Sequence, residues 1–166
     1  MRFGTYMGIF WIAKFILFPL GLSSFPFLIF LFLGFTVTVP FLGYYFARIF
    51  RDRICKGYLG FLHSWVFLLF MYVFAALLTA VAHYIYFRYI DNGFIINTYS
   101  DMVNTVMPEQ LPGMEGYIEQ IKEAVDQIRS LSPIEITLQL MSQNIFYCSI
   151  LALITAPFVM RKPKTA

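Results

Sequence analysis

Four long apolar runs decide what this chain can become. A helix needs about 20 apolar residues, at 1.5 Å of rise each, to cross a bilayer. Runs of that length occur at about 6–22, 25–49, 59–89 and 133–160. The third and fourth exceed the minimum, so they tilt or extend into the headgroup region. Composition supports this reading: 13% of the residues are charged, about half the share in soluble domains. With 60% of its residues hydrophobic, the chain carries more apolar surface than a water-soluble core of this size can bury. The eleven tyrosines suit the membrane interface, where a phenol rests its ring in lipid and its hydroxyl among headgroups.

The predicted fold class is an all-α membrane protein: four transmembrane helices in two hairpins, with an external amphipathic helix between the third and fourth. Residues 1–166 form one membrane domain. A cleaved leader does not fit the first run, because Lys14 falls where the apolar region should be uncharged and no A-x-A-like site follows. The short turn from Gly21 to Pro26 predicts a tight hairpin between the first two spans.

Orientation follows from the basic residues. Arg2, the loop at 48–58 with Arg48, Arg51, Arg53 and Lys56, and the tail at 161–166 with Arg161, Lys162 and Lys164 share one side if there are four spans. The positive-inside rule makes that side cytoplasmic, and an inner membrane is the expected location. The opposite segment, 91–132, is acidic, with only Lys122 and Arg129 as bases. Within it Tyr117, Ile118, Ile121, Val125 and Ile128 recur at helical spacing, opposite Glu115, Glu119, Glu123 and Asp126. Ser132, Pro133 and Glu135 read as a capping box that opens the fourth span. A shorter helix is expected at roughly 98–107.

The region from Tyr44 to Asn92 carries a more particular pattern. Tyr44-Tyr45-Phe46-Ala47-Arg48, then Arg51-Asp52, then the span closing on His83-Tyr84-Ile85-Tyr86-Phe87-Arg88-Tyr89-Ile90-Asp91, resembles the DUF4199 family of small membrane proteins from Bacteroidetes. The order of spans, the polar segment before the last one and the basic tail extend the resemblance over nearly the whole chain. It implies no catalytic or binding residues, since the family's function is unknown. It also points toward an envelope complex with a membrane glycosyltransferase.

Several residues are candidates for a role. Lys14 lies inside a span, where a charge costs ~3 kcal/mol or more and is functional by default. No Asp or Glu lies in a span to pair with it, so the expected reading is a stem that snorkels to the headgroups. Its functional version is a lone cation holding a phosphate or a partner's carboxylate. His83, Gln139, Ser142 and Gln143 are expected at comparable depth, as a polar cluster with Tyr84 and Tyr147. Interhelical hydrogen bonds, worth ~0.6 kcal/mol on average, explain such a cluster as well as a substrate site does. Arg88 and Asp91, three apart, are expected to pair at the end of the third span. Arg48, Arg51, Arg53 and Lys56 are expected to meet lipid headgroups or a partner, and Arg88 to meet a headgroup. The stripe at Tyr117, Ile118, Ile121, Val125 and Ile128 must be covered by the bundle, the lipid or a partner. Gly4-x-x-x-Gly8 is a weak packing signal. Pro40 between Gly34 and Gly43 predicts a kink.

Cys55 and Cys148 lack partners at metal or disulfide spacing and read as free thiols. No catalytic triad, carboxylate pair, phosphate-binding glycine loop or metal-ligand spacing occurs. The expected function is therefore a non-catalytic inner-membrane protein without cofactors, a subunit or scaffold of an envelope complex. Its partners are membrane lipids and another membrane protein or a second copy, not nucleic acid. The alternative is a small transporter or flippase of a lipid-linked or ionic substrate, resting on Lys14, His83 and Pro40.

Overall fold

A computed structural model describes residues 2–23, 25–106, 113 and 115–161. Four helices in it are long and apolar enough to cross a membrane: α1 (Arg2–Ser23), α2 (Phe27–Arg53), α3 (Phe61–Tyr89) and α6 (Pro133–Val159). Between the last two lie α4 (Phe94–Asp101), a π-helical turn (Met102–Val106) and α5 (Glu115–Arg129). No strand occurs among the described residues. Ser24, the Leu111-Pro112 pair and Lys162 and Lys164 of the basic tail lie outside the described residues.

The chain divides into two compact units, residues 1–81 with 140–166 and residues 82–139. In the first, small residues mark the helix contacts. Each of its helices buries two small residues four apart: Gly4 and Gly8, Gly43 and Ala47, Ala75 and Thr79, Ala152 and Ala156. The large apolar side chains Phe30, Phe41, Phe70 and Phe158 point outward, each about 70% exposed. A lipid tail is as apolar as leucine, so membrane helices associate through close packing, and small residues allow the closest approach.

The glycines show how close that approach is. A Cβ on Gly4 would lie 3.1 Å from the Met71 carbonyl oxygen, and one on Gly8 would lie 3.4 Å from the Ala75 Cα. The Gly4-x-x-x-Gly8 pair is thus the face on which α1 meets α3. Gly43 gives α3 similar room on α2, because a Cβ there would collide with the Tyr72 hydroxyl. Aromatic pairs complete the α1–α2 hairpin, with Phe10 stacked on Phe35 at 5.2 Å and Phe18 against Phe32 at 5.3 Å. Phe50 and Phe67 stack at 4.0 Å between α2 and α3.

Pro40 lies inside α2, which continues as one helix on both sides of it. Ahead of it, Thr36 and Thr38 donate their hydroxyls to the carbonyls of Phe32 and Gly34 in the same helix, each at 2.8 Å.

In the second unit, α4 and α5 pack on one another and on the π-helical turn, with Arg129 donating to the Asn97 side chain at 3.2 Å. The shorter helix begins earlier than expected, at Phe94, and Met107 lies outside the described residues. Its start is set by Asp91, whose carboxylate accepts the backbone N–H groups of Gly93 and Ile95, both at 3.1 Å. Gly93 stands at the N-cap with φ 81° and has no side chain to do this itself. At Ser132 the Glu135 side chain reaches back over the N-cap, one of the two bonds of the expected capping box. Glu135 accepts the Ser132 N–H at 2.7 Å and its hydroxyl at 2.6 Å, and α6 starts at the next residue.

Candidate functional site

Lys14 lies on α1, just past its middle, and is half-buried. Its Nζ sits 5.4 Å from the centre of the Phe32 ring and 6.0 Å from that of Trp11, at cation–π distance. The Cys148 thiol of α6 is within electrostatic reach. Trp11 stacks on Tyr72 at 6.1 Å, and both rings are buried. The Trp11 Nε1 and Tyr72 hydroxyl have no hydrogen-bond partner among the described residues. Helices α1, α2, α3 and α6 therefore gather an ammonium, an indole N–H, a phenol and a thiol around ring faces. The ring faces offer π-density, which suits the held ammonium.

The expected cluster around His83 is corrected. His83 is buried, with its ring edge-on to Phe87 at 6.4 Å. Gln139, Ser142 and Gln143 are all exposed. The inward face of α6 carries Thr137, Cys148, Ala152, Thr155, Ala156 and Val159 instead. Helical phase decides this: residues 139, 142 and 143 project on the side opposite the buried row. Tyr84 and Tyr147 are exposed as well.

The basic residues divide in two. Arg51 is buried, so it meets neither a headgroup nor a partner as expected. Its Nη1 donates to the Val159 carbonyl at 2.9 Å, 108 residues away, while Nε and Nη2 hold Asp52 at 2.7 and 3.2 Å. Asp52 also faces Arg48, at 3.7 Å. Beside this pairing, Leu59 and Arg161 exchange backbone hydrogen bonds at 3.1 and 2.8 Å. Together they clasp the α2–α3 loop to the end of α6. Arg53 and Lys56 are exposed.

At the far end of α3, the expected Arg88–Asp91 pair is replaced. Arg88 is exposed, and Asp91, beyond the helix end, caps α4. On α5, Ile118 is buried and Val125 half-buried, while Tyr117, Ile121 and Ile128 remain 39–65% exposed. The stripe is thus only partly covered within its own unit.

The DUF4199 family, described as proteins of unknown function, matches residues 2–161. The chain belongs to this family. No curated protein and no solved structure matches it. For this DUF4199 protein, sequence reasoning missed the Arg51 clasp and the Tyr72–Gly43 contact. The adjacency of Arg51 and Asp52 at the end of a span was the available signal for the first. For the second, the signal was Gly43 four residues before Ala47.

Proposed function

We propose that this DUF4199 protein is a non-catalytic subunit or scaffold of a cell-envelope membrane complex, held in the inner membrane with its basic ends cytoplasmic. The observation that carries the reading is the outward placement of Ser142 and Gln143 on α6. A carboxamide facing hydrocarbon lacks the hydrogen bonds it makes in water, which is costly. A neighbouring transmembrane helix restores them. The partly exposed stripe of α5 adds a second surface, and its acidic face disfavours anionic lipid as the cover. Support for a transporter is weaker, since α2 is unbroken at Pro40 and Lys14 rests against aromatic rings.

The test is a mild-detergent pull-down from native membranes with crosslinking and mass spectrometry. A membrane glycosyltransferase is the first partner class to look for. The expected result is a second membrane protein in fixed ratio to the chain, its recovery lowered severalfold by Gln143→Leu. Repeated recovery of this chain alone under crosslinking would overturn the proposal.

A further inference from the structure

An open-sided apolar groove of about 610 Å³ runs along α3. Its floor is a helical stripe, from His63 through Val66, Phe70 and Val73 to Leu77, with Gly4 of α1 and Phe50 of α2 on its walls. His63 to Leu77 is fourteen residues, about 21 Å of helix rise. A volume of about 610 Å³ spread along that length, with an almost wholly apolar lining, suits an extended alkyl chain. The length exceeds half the ~30 Å hydrocarbon core, which is the reach of one chain of one leaflet.

The groove's ends differ chemically. At Leu77 the walls are apolar. At the other end the lining includes Cys55 and His63, and exposed cations stand beside it in the chain. Arg53 and Lys56 lie within two residues of Cys55. The carboxylate among them, Asp52, is engaged by Arg51 and Arg48. The mouth is therefore cationic and the channel behind it apolar.

We propose that this groove binds one acyl chain of an anionic phospholipid, with the lipid phosphate at Arg53 and Lys56. Clusters of basic residues at a span end attract such headgroups, and a filled groove restores the dispersion contacts an empty one lacks. The site is a fixed lipid position on the protein, distinct from general solvation by the bilayer.

The experiment uses the full chain, delipidated in mild detergent and offered equimolar phosphatidylglycerol and phosphatidylethanolamine with matched acyl chains. Native mass spectrometry counts what stays bound. One phosphatidylglycerol per chain is expected, preferred at least fivefold. Val66→Trp, which fills the groove, is expected to abolish retention. Leu77→Trp, at an exposed position that a larger ring does not disturb, is expected to lower it severalfold. Lys56→Gln with Arg53→Gln is expected to keep a bound lipid and level the preference. No retained lipid, equal retention of both lipids by the unaltered chain, or full retention by Leu77→Trp would each overturn the proposal.

Discussion

Arg51 shows how a single side chain can hold a membrane protein together. A guanidinium at a span end ordinarily meets water or phosphate, but this one is buried and spends its donors on Asp52 and the Val159 carbonyl. Arg51→Ala removes both at once and is expected to lower stability by on the order of 2 kcal/mol, the scale of hydrogen bonds to charged groups. Thermal unfolding of the delipidated chain in detergent reads this, with Arg53→Ala, an exposed neighbour, expected to leave the midpoint unchanged. Equal effects from the two would show that local charge, not the clasp, matters. Lys14 is handled differently: two ring faces in place of an anion.

The helices themselves were largely legible in the sequence, because length and apolarity suffice to mark a span and Ser132 with Glu135 marks where the last one opens. Which face of each span turns inward was not. A soluble helix announces its buried side by polarity, but these spans are apolar all round, and the buried side is marked by small residues that permit close approach. Hence Gln139 and Gln143 were expected inside, yet the packing row on α6 is Cys148, Ala152 and Ala156. The same rule separates two glycines of α2. A Cβ at Gly43 would strike the Tyr72 hydroxyl, whereas at Gly34 it would meet nothing within 4 Å. Gly43→Ala is expected to lower the unfolding midpoint by several degrees. Gly34→Ala is expected to leave it the same or raise it, since alanine favours helix by about 1 kcal/mol over glycine. The reverse order would refute close approach through a small residue at this interface.

For the molecule as a whole, orientation is the open physical quantity, and it can be measured. In a Cys55→Ser background, where the remaining Cys148 is buried, a cysteine at exposed Lys56 or at exposed Asp101 reports its side. Under the positive-inside rule, a membrane-impermeant maleimide applied to spheroplasts is expected to label Asp101→Cys and spare Lys56→Cys. The opposite pattern would invert the proposed topology. The clasp at the basic end also has a consequence for biogenesis. Arg51 emerges from the ribosome 108 residues before its acceptor, Val159. Until α6 has been made and inserted, the buried position of Arg51 lacks the carbonyl that satisfies it. Closure of the basic end therefore waits on α6, and the burial of Arg51 in the first hairpin depends on a segment made 108 residues later.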